Sequence, residues 1–578
     1  MRLVLTSAIL ALFLSPIRWG SQEPASPVFR EVASGLETFR LISGTEEKKY
    51  IVEANSAGVC VIDFNSDDLP DLFFVNGGEL DAFRQKTVSP VRHALFRNQG
   101  NRVFAEVTAE AGAGGRGHWG MGCSVADYNA DGRPDLYVTT YGPNLLLKNL
   151  GNGRFEEVGA ATGVDDQRWS TGSAWGDADG DGDVDLFVAN YIDLDRSNLP
   201  EPGSPGYGSM GSLRLGCQYL GLPVMCGPRG LKGAGDALFL NRGDGTFEEA
   251  SERFGVHDPD GHYGLAAVWS DLDGDGRLDL YVANDSTPNL LYRNTGGAPF
   301  EELGLLSGVA FSAQGTEQAG MGIAVGDYLN EGRQALYVTN FSEEYNTLYR
   351  NEGEFNFTDV TARAGLRRPS LPYVGWGTLF LDFDNDGWLD LFVANGHVFP
   401  SVDTLDRATL GHYRQRSLLF HNLANGRFAD VSSRLEELRP QSSRGAAAAD
   451  FDSDGKLDVV LNNIDGTPAV LWNNSSDSHH FLRIRLVGPD SNPLAIGSRL
   501  RLRTGEIWQM REVHSGSSYS SQNELVVHFG LGTARKADEL EIRWPDLTFA
   551  KHFEVSADRQ ITIHYRPGET ATPRSDQP

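Results

Sequence analysis

The 578-residue sequence has little cysteine, little positive charge and few long apolar runs. Its four cysteines are too few for a disulfide-dense scaffold. Lysine and arginine total 50 against 78 aspartates and glutamates, which gives a formal net charge of −28. This charge disfavours nucleic acids and anionic membrane surfaces as partners.

The first 22 residues have the form of a secretory signal peptide. Arg2 precedes an apolar run from Leu3 to Leu14, and a breaker and exit region follows from Pro16 to Ser21. A membrane anchor is the alternative, but the run is shorter than the roughly 20 residues that a transmembrane helix needs. We therefore predict export to the periplasm or the extracellular space, with no transmembrane segment after signal removal.

Catalytic signatures are also missing. The thirteen histidines include no H-E-x-x-H pair, and the sequence contains no G-x-S-x-G nucleophile elbow. The G-x-G-x-x-G match at 112–117 precedes a strand pattern instead of a helix, so we interpret it as a turn. We predict no enzymatic activity.

Acidic loops recur through most of the chain. The loop from Asp177 to Asp185 has acidic side chains at positions 1, 3, 5 and 9, and glycine at positions 4 and 6. Crowded carboxylates repel each other unless a cation lies among them, and Ca²⁺ takes roughly six to eight oxygen ligands. An EF-hand loop closes with glutamate at position 12 and leads into a helix, whereas this loop leads into a β-prone run. It is predicted to be a calcium-binding turn between two strands.

Six of the seven loops have a full set of oxygen ligands at positions 1, 3, 5 and 9. The predicted metal ligands are Asp63, Asn65, Asp67 and Asp71; Asp127, Asn129, Asp131 and Asp135; Asp177, Asp179, Asp181 and Asp185; Asp271, Asp273, Asp275 and Asp279; Asp382, Asp384, Asp386 and Asp390; and Asp450, Asp452, Asp454 and Asp458. In the loop that begins at Asp327, Leu329 and Ala335 replace two ligands, so we expect a preserved turn without metal. A hydrated cluster of Asx turns is the alternative for any single loop. Six copies with one spacing favour about six structural calcium sites.

Each acidic loop lies within a unit of four predicted strands. A small-residue strand precedes the loop, an apolar strand follows it, a third strand ends in asparagine as in Leu95–Asn98, and a fourth resembles Phe104–Val107. Such repeated units indicate the blades of a β-propeller. The seventh unit lacks its fourth strand, and Phe29–Val32 has the missing pattern. This favours a closed seven-bladed ring, in an all-β fold, over an open solenoid.

The remaining segments depart from the repeat. We assign residues 28–478 to the propeller, with an insertion at about 197–235, then 479–566 to a small antiparallel β-domain with half-exposed strands, and 567–578 to a disordered tail. The insertion is rich in glycine and proline, and is either a working surface or a plain surface loop. Its Cys217 and Cys226 are expected to form a disulfide, whereas Cys60 and Cys123 are expected to be buried free thiols.

The repeat resembles the FG-GAP/VCBS repeats of integrin α-subunit propellers. The segments at 496–500, 516–523, 528–532 and 543–545 look like an ASPIC/UnbV domain, and the insertion is similar to that of the cartilage acidic protein family. The resemblance implies an extracellular calcium-binding propeller. We expect a binding or adhesion scaffold for an extracellular protein or glycan, with structural calcium. An enzyme or biosynthetic accessory protein with a site in the propeller channel is the alternative, and a purely structural matrix component is a third possibility.

Overall fold

The computed structural model describes residues 28–204, 216–405, 411–435, 438–476 and 478–568. The predicted signal peptide and the tail beyond residue 568 lie outside these residues. Among the described residues, no helix is long and apolar enough to cross a membrane.

In the described part of the chain, seven four-stranded antiparallel sheets follow the predicted repeat. The strand β1 (Phe29–Glu31) comes first and belongs to sheet 7. Sheet 1 contains β2 (Val59–Ile62), β3 (Asp71–Phe74), β4 (Ala94–Asn98) and β5 (Phe104–Glu106); sheet 2 contains β6 (Trp119–Ala126), β7 (Asp135–Tyr141), β8 (Leu145–Asn149) and β9 (Phe155–Glu157); sheet 3 contains β10 (Ser170–Gly176) and β11 (Asp185–Asn190), then, after the insertion hairpin β12 (Gln218–Tyr219) and β13 (Leu222–Pro223), β14 (Ala237–Asn241) and β15 (Phe247–Glu249). Sheet 4 contains β16 (Gly264–Ser270), β17 (Asp279–Asn284), β18 (Leu290–Arg293) and β19 (Glu301–Glu302); sheet 5 contains β20 (Ile323–Gly326), β21 (Ala335–Val338), β22 (Thr347–Gly353) and β23 (Asn356–Asp359); sheet 6 contains β24 (Gly375–Leu381), β25 (Asp390–Asn395), β26 (Leu418–Asn422) and β27 (Phe428–Asp430); sheet 7 contains β28 (Ser443–Ala449), β29 (Asp458–Asn463), β30 (Ala469–Asn473) and β1.

Helical segments are short and lie in the connections between strands. The α-helices are α1 (Leu80–Gln85), α2 (Thr108–Ala111), α3 (Gly159–Thr162), α4 (Ser251–Phe254), α5 (Gly304–Ser307), α6 (Thr361–Ala364) and α7 (Arg367–Ser370), and 3₁₀ turns lie at Leu36–Thr38, Ile51–Ala54, Pro400–Thr404 and Ser432–Leu435.

The sheets form a β-propeller. The first strand of each sheet contacts the first strand of the next, and β28 of sheet 7 contacts β2 of sheet 1. Each sheet packs against a neighbouring sheet on both faces, so its strands are apolar and their side chains fill the space between the sheets. At the junction of sheets 7 and 1, the ring of Phe104 lies 5.7 Å from Phe451 and 6.4 Å from Trp472. The predicted propeller fold is confirmed.

The N-terminal strand completes sheet 7. Phe29 pairs with Asn473 and Glu31 with Leu471, so β1 lies antiparallel to β30 as the outer strand. The Phe29 side chain is fully buried, and its ring lies 6.4 Å from Phe383 and 6.3 Å from Phe392. The displaced strand expected from the sequence is therefore confirmed, and it joins the two ends of the propeller without a covalent bond.

A buried asparagine links every sheet to the preceding one. The Nδ2 of an asparagine near the end of the third strand donates to the backbone carbonyl at position 2 of the preceding sheet's acidic loop, at 2.8–3.0 Å. The bonded pairs are Asn98 with Phe451, Asn149 with Phe64, Asn241 with Tyr128, Asn294 with Ala178, Asn351 with Leu272, Asn422 with Tyr328, and Asn473 with Phe383. These bonds run once around the ring and explain the asparagine near the end of each third strand.

Cys60 and Cys123 form a disulfide, so the expectation of free thiols is wrong. Cys60 lies on β2 and Cys123 on β6, the first strands of adjacent sheets, and their Cα atoms are 6.0 Å apart. The sequence places each cysteine on an apolar strand but does not show that the two strands face each other. The expected disulfide between Cys217 and Cys226 is confirmed.

The C-terminal domain contains two sheets packed around an apolar core. Its strands are β31 (His480–Val487), β32 (Arg499–Thr504), β33 (Ile507–Glu512), β34 (Val527–Gly532), β35 (Lys536–Arg543), β36 (Phe549–Ser556) and β37 (Arg559–His564). The strand orders are β34-β31-β37 and β33-β32-β35-β36. The pair β31–β37 is parallel, where the sequence predicted antiparallel strands throughout.

Truncation of Phe29 should destabilise the propeller. Phe29→Ala removes a fully buried ring and is expected to lower the free energy of unfolding by about 3–5 kcal/mol. Val32→Ala, three residues away at a side chain that is 48% exposed, is the control and should change it little. Thermal unfolding measures both variants, and equal melting temperatures would mean that β1 does not hold sheet 7 closed.

The two disulfides should differ in their contribution to stability. Cys60 and Cys123 are separated by 63 residues and Cys217 and Cys226 by 9. From loop-closure entropy, removing the longer link by Cys60→Ala/Cys123→Ala should cost about 4 kcal/mol, and removing the shorter by Cys217→Ala/Cys226→Ala about 3 kcal/mol. Denaturant unfolding under non-reducing conditions measures both, and a larger loss from the shorter link would contradict this order.

Candidate metal loops and the face they form

The loop of sheet 3 gathers three carboxylates around one point. Asp177 accepts hydrogen bonds from the backbone N–H groups of Gly180 (2.7 Å) and Gly182 (3.0 Å), which fold the loop back on itself. Both glycines have positive φ (81° and 95°), a conformation that costs glycine little. Asp177, Asp179 and Asp185 each place a carboxylate oxygen within 4.8 Å of the others.

Three further loops gather the same three positions. The groups are Asp271, Asp273 and Asp279; Asp382, Asp384 and Asp390; and Asp450, Asp452 and Asp458. In the loops of sheets 1 and 2, position 3 is Asn65 or Asn129, so only two of the three groups are carboxylates. The turn is the same there, since Asp127 accepts hydrogen bonds from the N–H groups of Asp131 and Gly132 at 3.0 and 2.7 Å.

Position 5 has a different role from positions 1, 3 and 9. The Oδ1 of Asp181 accepts a hydrogen bond from the N–H of Asp183 at 2.9 Å, and thus caps the turn. The same bond is made by Asp67, Asp131, Asp275, Asp386 and Asp454. In four loops the carboxylates of positions 1, 3 and 9 lie together, and position 5 also caps the turn through one oxygen. That all four positions bind a metal stays a prediction.

The aspartate at position 9 fastens the loop to its own sheet. In sheet 3, the buried Asp185 accepts a hydrogen bond from Ala178 N–H and another from Asn241 N–H, both at 2.8 Å. Asn241 is also the residue whose side chain reaches the preceding loop. Asp185 thus links the acidic loop to its own sheet, and Asn241 links that sheet to the acidic loop of the preceding sheet.

The electrostatics of the loops favour a bound cation. Burial, together with the neighbouring carboxylates, raises the pKa of Asp177 to about 6 and of Asp71 and Asp382 to about 8. For Asp185 the same effects raise the pKa well above its usual range. Ionised carboxylates in these loops are therefore unfavourable without a compensating charge. An oxygen-only donor set in a flexible turn fits a hard divalent cation such as Ca²⁺.

The loop at Asp327 keeps its turn, as expected. Asp327 accepts hydrogen bonds from Glu331 N–H (3.0 Å) and Gly332 N–H (2.8 Å). Leu329 and Ala335 supply no side-chain oxygen at positions 3 and 9. That this loop binds no metal stays a prediction.

Sequence reasoning missed His421, which lies on the third strand of sheet 6 beside the acidic loop. Its Nε2 lies 3.4 Å from Asp384 Oδ2 and 3.6 Å from Asp386 Oδ2, and these carboxylates raise the pKa of His421 to about 10. His421 precedes the asparagine that ends its third strand. At the same place in sheet 4, Arg293 contacts Asp273 at 3.0 Å. The basic residue just before that asparagine is the sequence feature from which this contact could have been predicted.

Arginines of the C-terminal domain lie against position 1 of three loops. Asp271 Oδ2 is 2.7 Å from Arg543 Nη2 and 3.1 Å from Arg499 Nη2. Arg483 lies 3.2 Å from Asp450 Oδ2, and Arg485 lies 3.3 Å from Asp63 Oδ2. The corresponding half-exposed strand faces were predicted to meet water. For Arg483 and Arg499 this is wrong, because both side chains are buried against the acidic loops.

Glu512 belongs to the same contact. Although burial alone would raise its pKa, Arg499, His514 and a hydrogen bond from Ser270 lower the pKa of Glu512 to about 2. Glu512 is therefore ionised beside Asp271, and Arg499 bridges the two at 3.6 and 3.1 Å. The C-terminal domain is thus held on the acidic-loop face, the face that carries the seven acidic loops.

A segment of the C-terminal domain, residues 513–524, enters the propeller channel. We refer to it as the channel segment. Its backbone forms hydrogen bonds with the first strands of sheets 1, 2, 3, 5 and 7, and in sheet 6 its Ser518 hydroxyl accepts from Thr378 N–H. Ile323 and Ser518 exchange two backbone hydrogen bonds of 2.9 and 2.8 Å. An edge strand presents backbone groups without a strand partner, and the channel segment satisfies some of these groups on the inner edges of the first strands.

Tyr519 lies at the centre of this segment and is fully buried. Its hydroxyl donates to the Asn55 carbonyl at 2.7 Å, and its ring lies 4.7 Å from Trp376. Tyr519 and the backbone of the channel segment therefore occupy part of the propeller channel. The motif at 516–523 was singled out by resemblance alone, and its position in the channel was not foreseen.

The described geometry agrees with the matches to known sequences. The model of the FG-GAP-like repeat matches residues 63–138, 127–188, 229–282, 271–338 and 327–393, and the model named ASPIC and UnbV matches residues 488–570. Cartilage acidic protein 1 of Homo sapiens is 24% identical over 574 residues, which cover 93% of this chain and 75% of that protein. The Xenopus tropicalis protein of the same name is 24% identical over 563 residues, covering 91% and 75%.

Solved structures with similar folds are distant. The BP39L lectin from Burkholderia pseudomallei is 10% identical, covers 73% of this chain and 97% of that chain, and has a TM-score of 0.43. BBS1N in complex with ARL6DN is 10% identical, covers 78% and 98%, and has a TM-score of 0.41. These structures carry no argument about function. The matched repeats cover half of the chain and the C-terminal model follows them, and the chain therefore belongs to the family of FG-GAP-like repeat proteins with a C-terminal ASPIC and UnbV domain.

Proposed function

We propose that this protein is an exported, calcium-stabilised propeller that acts as a binding or adhesion scaffold for an extracellular protein or glycan. The kinship with cartilage acidic protein 1 supports a scaffold of this kind. The two disulfides and the predicted signal peptide support an oxidising compartment outside the cytoplasm.

The observation that carries the proposal is the occupied channel. The channel segment occupies the propeller axis and the C-terminal domain covers the acidic loops, so the chain itself uses both places. An enzyme with a site in the channel, the alternative, would have to use the space that the channel segment leaves. The opposite face, formed by the connections between second and third strands, carries the insertion and remains open to a partner.

Calcium has a structural role in this proposal. The candidate ligands hold turns, and each turn is bonded to the next sheet through an asparagine. A cation that binds the folded loops and not the unfolded chain stabilises the fold by mass action, by about 2.7 kcal/mol per site at 100 times the Kd. We assign no step of chemistry to the metal.

Removal of one candidate ligand should lower calcium-dependent stability. Asp179→Ala removes an exposed position-3 carboxylate without disturbing the core, and should lower the number of bound calcium ions by one. The stabilisation by calcium should fall by about 2–3 kcal/mol when calcium is at 100 times the Kd. Calorimetric calcium titration and melting temperatures with calcium or with EGTA measure both quantities.

The control for this experiment lies in the same loop. Asp183 is at position 7, where the backbone carbonyl is the expected ligand, so Asp183→Asn makes a similar charge change without removing a predicted ligand. It should leave the number of calcium ions unchanged. If EGTA leaves the melting temperature of the unmodified protein unchanged, the loops are hydrated turns and the calcium proposal is wrong.

The binding face can be located by photocrosslinking. p-Benzoylphenylalanine placed at Gln218, on the exposed side of β12 in the insertion, should form adducts with extracellular proteins or glycans from the native milieu. The same group at Phe553, which is 62% exposed on the C-terminal domain, should not. Adducts only from position 553 would move the partner to the C-terminal domain. No adducts from either, together with turnover of a glycan or small molecule, would favour the enzyme.

A further inference from the structure

A cavity of about 190 Å³ lies on the opposite face, beneath the insertion. Its walls come from the ends of several sheets, and the segment Met225–Pro228 of the insertion covers it. The aromatic side chains in the wall are Tyr191, Phe341, Trp376 and Phe399. Gly227 at the rim is exposed and Phe399 is only half-buried, so the cavity borders on solvent.

Two carboxylates line the same cavity. Asp285 accepts hydrogen bonds from the hydroxyls of Tyr191 (2.5 Å) and Ser286 (2.8 Å), which fix its orientation. Glu344 accepts a hydrogen bond from the backbone N–H of Ala319 at 2.8 Å. The two carboxylates come from the connections that follow β17 of sheet 4 and β21 of sheet 5, and only the fold brings them together.

No ion pair balances these two charges among the described residues. The nearest cation on the rim, Arg229, is paired with Glu317 at 3.1 Å and lies largely in solvent. Arg229 therefore compensates Asp285 and Glu344 only at a distance. Burial raises the pKa of Glu344 to about 7 and raises that of Asp285. Among the residues that line the cavity, acidic groups are in excess of basic ones, and a bound cation would favour their ionised forms.

Other charged groups behind the wall do not remove this excess. The Arg444 guanidinium lies 4.0 Å from the Trp376 ring and donates to backbone carbonyls. One face of the Trp376 ring is therefore already covered by a cation of the protein itself. His397 packs against Phe341 and Phe399, and burial lowers its pKa to about 3, so it is neutral. Tyr219 of the insertion also packs against Phe341 and Phe399, with ring centroids 5.9 and 5.5 Å apart. Phe341, Phe399 and Tyr191 nevertheless line the cavity.

The wall also contains a buried hydrogen-bond donor, Asn55 Nδ2, that a ligand would satisfy. Asn55 lines the cavity and is 4% exposed, and its Nδ2 lies beside the Tyr191 hydroxyl. Nevertheless, this nitrogen forms no hydrogen bond of normal geometry with any described residue. A buried donor left without an acceptor is unfavourable, and a ligand oxygen would satisfy it.

We propose that this cavity binds a small organic ammonium ion. Aromatic faces attract cations, quaternary ammonium groups above all, and carboxylates beside them supply the opposite charge. Tyr191, Phe341 and Phe399 would surround the ammonium group, Asp285 and Glu344 would face it, and Asn55 would donate to an adjacent hydroxyl or carbonyl oxygen. The ion is either a free molecule or the modified lysine side chain of a bound protein. The proposal rests on the proposed function only in that both use the open face.

The test compares choline with its neutral isostere 3,3-dimethyl-1-butanol. Calorimetric titration of the calcium-loaded full-length protein should show choline binding at least about tenfold tighter than the alcohol, because only the charge differs. A peptide that contains trimethyllysine is titrated in parallel. Tighter binding of the peptide than of choline identifies a protein partner as the source, and the reverse identifies a free ion.

Variants of two neighbouring glutamates provide the matched control. Glu344→Gln should weaken choline binding by about tenfold or more and leave binding of the alcohol unchanged. Glu343→Gln, at the exposed adjacent residue, should change neither. If Glu344→Gln lowers the melting temperature, Asp285→Asn and Phe341→Leu replace it and should weaken choline in the same way.

Three outcomes would overturn the proposal. These are equal affinity for choline and the alcohol, no detectable binding of choline or the peptide, and equal losses from Glu344→Gln and Glu343→Gln. None depends on a macromolecular partner, so the ammonium site can fail while crosslinks from position 218 still support the scaffold. Conversely, choline binding without crosslinks would leave the site standing and remove the scaffold.

Discussion

The structure depends on the hydrogen bonds of one asparagine near the end of each third strand. In six sheets, the backbone N–H of the asparagine is held by the position-9 aspartate of its own loop, and its side chain holds the loop of the preceding sheet. A loop is therefore part of two junctions at once. A charge that orders the turn therefore also orders the junction between the two neighbouring sheets. In this way a small hydrophilic turn contributes to the packing of large apolar sheets. In sheet 5, Ala335 replaces the aspartate and the asparagine still bridges to Leu272. The ring consequently keeps its continuity where a loop has lost ligands.

Charge balance in the molecule is shared between the loops and the C-terminal domain. The formal net charge of −28 suggests strong self-repulsion. Much of that charge lies in the acidic loops, where Arg483, Arg485, Arg499 and Arg543 meet it. The domain that resembles a separate module in sequence is thus an integral part of the propeller, both on the acidic-loop face and within the channel.

Patterns that can be read along the chain predicted most of the fold. Contacts between residues that are far apart in sequence were mostly not predicted. The repeat, the displaced strand at Phe29 and the Cys217–Cys226 link depend on residues close in sequence or on a pattern counted seven times. The Cys60–Cys123 link depends on which faces of adjacent sheets meet, and a one-residue difference in strand phase concealed it. The arginines of β31 and β32 alternate as a solvent-facing strand would, and only the partner surface distinguishes docking from hydration. In the candidate site, positions 1, 3 and 9 followed from spacing, whereas His421 came from another strand.

The channel segment also constrains the order in which the chain can reach its native state. Sheet 1 shares hydrogen bonds with Gln522, more than 400 residues later in the chain, and β1 has no partner until β30 of sheet 7 is available. The ring therefore cannot close before residue 473 is available, and the inner edge of sheet 1 is not paired before residue 522 is available. Such long-range closure makes folding slow. The complete ring, with its channel occupied, is therefore a late product of folding, although most of its sheets are built from strands that are close in sequence.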